Sequence, residues 1–174
     1  AVLVEGRSSL KQPRRLVGNI NRRCFMSLRS RILVPVDLSL NYLEAVRVSR
    51  ELTSALSEIT LFHAVDTGKL GVARDTGTDP YAVGSLNDVL DDGIKRLRRI
   101  RDTELPDKKY VNLAICVGED TAEVICDGAK RYAADVLVLT ANGRSNYPDR
   151  FPSSVATAVV HKAPCPVMLV PYST

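Results

Sequence analysis

The chain has 174 residues, of which 45% are apolar and 25% charged, a size and composition typical of one soluble globular domain. No apolar run approaches the roughly 20 residues that a membrane span requires, so we do not expect a membrane-spanning protein. The net charge of +4 is uneven, because residues 1–31 hold eight basic residues against Glu5 alone. In the rest of the chain Lys and Arg alternate with Asp and Glu, so we expect no nucleic-acid partner.

Residues 1–30 show no sustained hydrophobic period, since Pro13 and scattered arginines interrupt them. We interpret them as a flexible basic arm or a non-native extension, with the natural start at Met26, and residues 31–174 as the folded domain. The arm is Arg-rich and almost free of acid, which also fits an organelle transit peptide. We therefore expect a cytoplasmic protein, or an organelle-matrix protein if residues 1–26 are a transit peptide.

The cysteines show no CxxC spacing and no histidine at ligand spacing, which argues against a zinc or thioredoxin-type site. They are Cys24, Cys116, Cys126 and Cys165. Three lie in apolar contexts, where cysteine usually behaves as a small buried residue, so a reducing compartment is the natural interpretation.

Strands and helices alternate regularly from Arg31 onward. Residues 32–36 form a continuous apolar run, typical of a strand buried on both faces in a parallel sheet. Residues 41–56 carry apolar side chains at helical spacing, and residues 58–65 form a second strand. Such a βαβ unit has a right-handed crossover and parallel strands.

The remaining pattern continues this alternation after a Gly-rich connection at residues 66–84, which could close over a ligand. The further predicted elements are helices at 86–101, 121–134 and 153–162 and strands at 111–117, 136–139 and 167–170. The outer face of the first of these helices is basic, and we interpret its charges as solvated cover; they are Lys95, Arg96, Arg98, Arg99 and Arg101. Alternating elements with doubly apolar strands predict an α/β three-layer sandwich on a parallel sheet.

Ligands of such sheets bind at the carboxyl ends of strands, where the strand order reverses. The first and fourth strands are the candidates for this point, which would bring Asp37 close to residues 140–154. Ser153 and Ser154 lie where the last predicted helix begins. Their hydroxyls and the first N–H groups of this helix therefore face the carboxyl ends of the strands. The arrangement favours an anion, usually phosphate.

Three stretches together resemble the universal stress protein family: RILVPVDLS at 31–39, VGEDTAEVICDGAKRYAADVLVLT at 117–140, and HKAPCPVMLVP at 161–171. The resemblance covers about residues 30–172. It implies a Rossmann-like fold with a five-stranded parallel sheet of order 3-2-1-4-5, and a homodimer through the last strands. It also implies a stress-response signalling or binding module, with an ATP site, and Mg²⁺, in some members.

In ATP-binding members of that family, the fourth strand leads into a loop of pattern Gly-x-x-Gly, nine residues, then Gly-Ser or Gly-Thr. The pattern falls on Thr140, Gly143, Ser153 and Ser154, so only Gly143 and Ser154 match. Thr140 and Ser153 replace glycines that let the backbone approach the ribose and phosphates closely. The nucleotide-binding positions that the resemblance implies are Pro35, Val36, Asp37, Val65, Thr140, Gly143, Ser153, Ser154 and Val155.

Several alternatives remain open at these positions. Family members without the glycine pattern do not bind ATP, so the chain could be a nucleotide-independent protein-interaction module of the same fold. Asp37 could contact adenine or cap the region after its strand, and Ser154 could bind phosphate or cap its helix. His63, inside an apolar strand, is more typical of a hydrogen-bonded core residue, and His161 suits the dipole at a helix end.

The common catalytic motifs are missing from the sequence. It contains no GxxxxGK[ST] loop, no GxGxxG after the first strand, no HExxH and no GxSxG. We find no nucleophile with a base within plausible reach, and therefore expect at most slow ATP hydrolysis.

Overall fold

The computed structural model describes residues 3–6, 29–38, 42–68, 86–141 and 153–171. The strands are β1 (Leu3–Gly6), β2 (Arg31–Pro35), β3 (Glu58–Asp66), β4 (Val111–Gly118), β5 (Val136–Thr140) and β6 (Val167–Val170). The main helices are α1 (Tyr42–Leu52), α2 (Leu86–Glu104), α3 (Thr121–Arg131) and α4 (Ser154–Lys162). Each strand and helix predicted from Arg31 onward is present, although α1 ends earlier than predicted. Most of the connection at residues 66–84, predicted to close over a ligand, lies outside the described residues.

The six strands form one sheet of order β1-β4-β3-β2-β5-β6. Strands β2 to β6 are parallel, which confirms the predicted five-stranded parallel sheet of order 3-2-1-4-5. The order reverses between β2 and β5, where Ile32 lies opposite Val136. The switch point is therefore formed by the two strands that the sequence indicated.

Strand β1 was not predicted, and it corrects the interpretation of residues 3–6 as part of a flexible arm. It pairs antiparallel with β4, with Leu3 opposite Cys116 and Gly6 opposite Leu113. Without it, β4 would present a row of unpaired N–H and C=O groups. Four residues are too few to show a period, which is why the sequence alone does not reveal this strand. Residues 7–28 lie outside the described part of the chain.

Helices cover both faces of the sheet, which confirms the three-layer sandwich. Because successive strand residues point to opposite faces, Val34 belongs to the core with α1 and α2, whereas Leu33 belongs to the core with α3 and α4. Both side chains are fully buried, and burying one such side chain stabilises the fold by about 1.5–3 kcal/mol. No helix among the described residues is long and apolar enough to cross a membrane.

Gly128 lets α3 approach the sheet closely. A Cβ atom at this position would lie 2.6 Å from both Cε2 and Cζ of Phe62. The Phe62 ring is fully buried and stands edge-on to Tyr132, with 6.4 Å between the ring centroids. A rigid ring held in this way cannot move aside for an added methyl group, so the position of α3 depends on the missing side chain.

We expect Gly128→Ala to lower the free energy of unfolding by up to about 2 kcal/mol. Overpacking costs about 1–3 kcal/mol, and the better helix propensity of alanine offsets about 1 kcal/mol of that. Gly93→Ala on α2 is the matched control, because the only close approach of its Cβ would be to the terminal Cδ1 methyl of Ile115, at 2.8 Å, with His63 Cδ2 at an ordinary contact distance of 3.6 Å. Urea denaturation followed by circular dichroism measures both. Equal stabilities for the two variants would contradict the packing argument.

Candidate functional site

The carboxyl ends of β2 and β5 lie side by side at the switch point. Ile32 pairs with Val136 and Leu33 with Leu137, and the same register carried forward sets Val36 level with Thr140. The Val36 N–H donates to the Phe62 carbonyl at 2.8 Å. Residues 36 and 37 therefore follow β2 at the carboxyl edge of the sheet, where Val36 is still held to β3.

The chain turns sharply away from the sheet after Asp37. Leu38 adopts a left-handed conformation, with φ of 59°, which is costly for a residue with a branched side chain. Val65, near the end of β3, is 6% exposed and belongs to the same core cluster as Val36. Val65, the predicted apolar contact, and residues 35–37, predicted to contact adenine, thus lie at the same edge of the sheet.

Hydrogen bonds hold the start of α4 against the end of β5. The Ala141 N–H donates to the Val170 carbonyl at 2.9 Å, and the Ser153 N–H donates to the Ala141 carbonyl at 2.7 Å. Both ends of the connection between β5 and α4 are fixed in this way. Residues 142–152 lie outside the described residues, so Gly143 remains a sequence prediction.

Ser153 is the N-cap of α4. Its Oγ accepts a hydrogen bond from the Ala156 N–H at 3.2 Å, and its carbonyl accepts from the backbone N–H and the hydroxyl of Thr157. The alternative that Ser154 caps the helix is therefore wrong. Two adjacent serines are equivalent by propensity, so only the backbone geometry identifies which of them is the cap.

The first turn of α4 has the properties of an anion site. The N–H groups of Ser154 and Val155 have no hydrogen-bond partner among the described residues, and the Ser154 side chain is exposed. This turn contains no acidic residue. Unpaired N–H groups and the positive end of the helix dipole together attract negative charge.

The far end of α4 is tied to α3 by ion pairs. The Lys162 Nζ lies 3.1 Å from Asp120 Oδ2 and 3.0 Å from Glu123 Oε1. The Lys162 ammonium and the N–H groups of Ala122 and Glu123 lower the pKa of Asp120. Glu123 and Asp120 in turn raise the pKa of Lys162. These groups are exposed, so solvent screening limits their effect on stability.

His63 is a hydrogen-bonded core residue, as its context predicted. Its Nδ1 lies 2.7 Å from the Val36 carbonyl oxygen, and its side chain is buried. No local pattern in the sequence identifies this partner, through which His63 helps to hold the end of β2 in place. His161 lies in the last turn of α4, where it suits the dipole.

The remaining candidate groups show little reactivity. Burial raises the pKa of the Cys126 and Cys165 thiols, so both are protonated at neutral pH and are poor nucleophiles. No cluster of three His, Cys, Asp or Glu side chains suited to a metal ion occurs among the described residues.

We expect Ser153→Ala to lower the free energy of unfolding by about 1 kcal/mol, since it removes the cap of α4. Ser154→Ala is the matched control, because the Ser154 hydroxyl is exposed and the described residues give it no hydrogen bond. Guanidinium denaturation of both variants measures the difference. A greater loss in Ser154→Ala than in Ser153→Ala would refute the cap assignment.

The fold and the switch point define a Rossmann-like α/β protein whose last helix begins beside the carboxyl end of β5. The model of the universal stress protein family matches residues 29–171. The chain belongs to the universal stress protein family. No curated protein matches it.

Several solved structures share this fold. Hypothetical protein MJ0577 is 20% identical with a TM-score of 0.72, and the match covers 85% of this chain and 99% of the other. Universal stress protein UspA from Lactobacillus plantarum is 25% identical with a TM-score of 0.58, covering 81% and 97%. A universal stress protein in complex with cAMP is 19% identical with a TM-score of 0.60, covering 83% and 98%.

Proposed function

We propose that this protein is a stress-response signalling or binding module that binds an adenine nucleotide at the carboxyl ends of β2 and β5. One observation carries the proposal: the N–H groups of Ser154 and Val155, which have no partner among the described residues, lie near the end of β5, the strand that pairs with β2 at the switch point. Membership of the family supports it, as does the relative that was solved in complex with cAMP.

Different residues at the switch point would contact the base and the phosphate of the nucleotide. The base would lie along residues 35–37, with its polar edge toward Asp37 or the neighbouring backbone and Val65 as an apolar contact. The phosphate would receive hydrogen bonds from the N–H groups of Ser154 and Val155 and from the Ser154 hydroxyl. Gly143 would let the loop backbone approach the ligand. If ATP is the ligand, Mg²⁺ would be held mainly by its phosphate oxygens.

The donor set favours a ligand with few phosphates. The Ser153 hydroxyl is already bonded to the Ala156 N–H, and Thr140 adds a Cβ where ATP-binding members have glycine. Among the described residues, the available donors are two N–H groups and the Ser154 hydroxyl. They suffice for a single phosphate group, whereas a triphosphate needs a longer cradle of backbone donors. We therefore expect AMP or cAMP to bind at least as tightly as ATP.

The proposed output is a change in partner binding rather than a reaction. Bound nucleotide would stabilise the connections after β3 and β5. The surface that these connections form would then change, and with it the affinity for a protein partner. Hydrolysis of ATP, if it occurs, would be slow, because no described side chain is placed as an activated base beside a nucleophile. A cytoplasmic location fits this role.

We also propose a homodimer through β6. This strand is at the edge of the sheet, while the opposite edge of β4 is covered by β1. Met168 on β6 is 39% exposed and Val160 on the adjoining α4 is 47% exposed. An edge strand with exposed apolar side chains is suited to pairing with a second copy.

The test is a thermal-shift titration with Mg-ATP, ADP, AMP and cAMP. A ligand at 100 times its Kd stabilises a protein by about 2.7 kcal/mol, which is a rise in Tm of several degrees for a chain of this length. We expect Ser154→Glu to remove the shift, because a carboxylate would repel the phosphate while still suiting the helix dipole. Thr121→Glu is the matched control, since Thr121 is the first residue of α3.

Two results would count against the proposal. An unchanged shift in Ser154→Glu would show that nucleotide binds elsewhere. A flat titration of the wild type, with no nucleotide released on denaturation, would favour the second candidate function, a nucleotide-independent protein-interaction module. The engaged hydroxyl of Ser153 and the Cβ of Thr140 are the observations that favour this second candidate. A stable dimer without nucleotide response would support it.

A further inference from the structure

A cavity lies between α2 and the residue that follows Asp37. Its volume is about 410 Å³, and its lining consists of Leu38, Asp92, Lys95, Arg96, Arg99 and Ile100. This volume falls within the range of about 300–1,000 Å³ that is usual for small-molecule sites. None of the lining residues is among the positions proposed to bind nucleotide, so the cavity is separate from the proposed nucleotide site.

The charges around the cavity are not balanced. Lys95 and Arg99 are four residues apart on one helix face, and such like-charged pairs destabilise a helix by about 0.2–0.5 kcal/mol. Asp92 pairs with Arg96, whose Nε lies 2.7 Å from Oδ2. Within the described part of the chain, Lys95 and Arg99 have no ion-pair partner. Two positive charges therefore face the cavity without compensation.

The cavity also has an apolar side. Ile100 is 4% exposed, and Leu38 packs against the core cluster formed with α1 and α2. Leu38 is in the left-handed conformation, which is costly for a non-glycine residue and is concentrated at functional sites. This conformation sets an apolar side chain opposite the cations.

We propose that this cavity binds a small phosphorylated ligand, with its phosphate between Lys95 and Arg99 and its apolar part against Leu38 and Ile100. Guanidinium and ammonium groups are the usual phosphate-binding side chains, and Arg99 can form two parallel hydrogen bonds to phosphate oxygens. A nucleic acid requires a longer basic stripe than one cavity that also contains Asp92. The site is distinct from the N–H groups of α4, which use no cationic side chain.

Phenyl phosphate is the probe, because it combines one phosphate with one apolar ring. Isothermal titration calorimetry of the full chain should give a Kd below about 1 mM, with phenol and inorganic phosphate each binding more weakly. We expect Lys95→Gln/Arg99→Gln to weaken binding at least about tenfold, equivalent to about 1.4 kcal/mol. Arg98→Gln/Arg101→Gln is the matched control, because it removes the same charge from α2 at residues outside the cavity. Its affinity should stay within about twofold of wild type, well under the tenfold step.

Three results would overturn the proposal. The first is the absence of binding heat when phenyl phosphate is added to the wild type at millimolar concentration. The second is an equal loss of affinity in the two double variants, which would indicate general charge attraction. The third is the loss of probe binding in Ser154→Glu, which would locate the probe at the start of α4. Retained probe binding in Ser154→Glu, together with the loss in Lys95→Gln/Arg99→Gln, supports a separate site whether or not nucleotide binds.

Discussion

The pairing of β2 with β5 is the constraint on which the rest of the structure depends. β2 lies between β3 and β5, and its central side chains are buried on both faces. At the amino end, Asp135 accepts hydrogen bonds from the backbone N–H and the guanidinium of Arg31, at 2.8 and 3.0 Å. The backbone N–H and C=O groups of a central strand are hydrogen-bonded to both neighbours, so polar groups that a ligand could reach occur only at its ends. The carboxyl end of β2 therefore carries the site, and the neighbouring β5 leads to the start of α4.

Ser153 stabilises the start of α4 but limits how closely a phosphate can approach the backbone there. A glycine there would let the backbone approach a phosphate closely, whereas Ser153 uses its Oγ to satisfy the Ala156 N–H. Capping contributes about 1 kcal/mol to helix stability, and it removes one donor from any ligand. The anion site that remains is smaller, because only Ser154 and Val155 contribute free N–H groups among the described residues.

The sequence predicts the fold well because the decisive signals are local. Continuous apolar runs identify doubly buried strands, and helical spacing identifies α1 to α4. Other features depend on contacts between residues far apart in the chain, so no local pattern reveals them. His63 bonds to the Val36 carbonyl, Gly128 makes room for Phe62, and β1 pairs with β4.

Residues 37 and 38 connect the two binding regions. Asp37 lies at the switch point, and Leu38 lines the cavity beside α2. The two residues share one peptide plane, so a rotation that relaxes the left-handed φ of Leu38 also moves the backbone of Asp37. Coupling between two ligands requires that each bind one arrangement of a shared element better than another. The turn after β2 adjoins both proposed regions, so it is the element through which coupling between two such ligands would act.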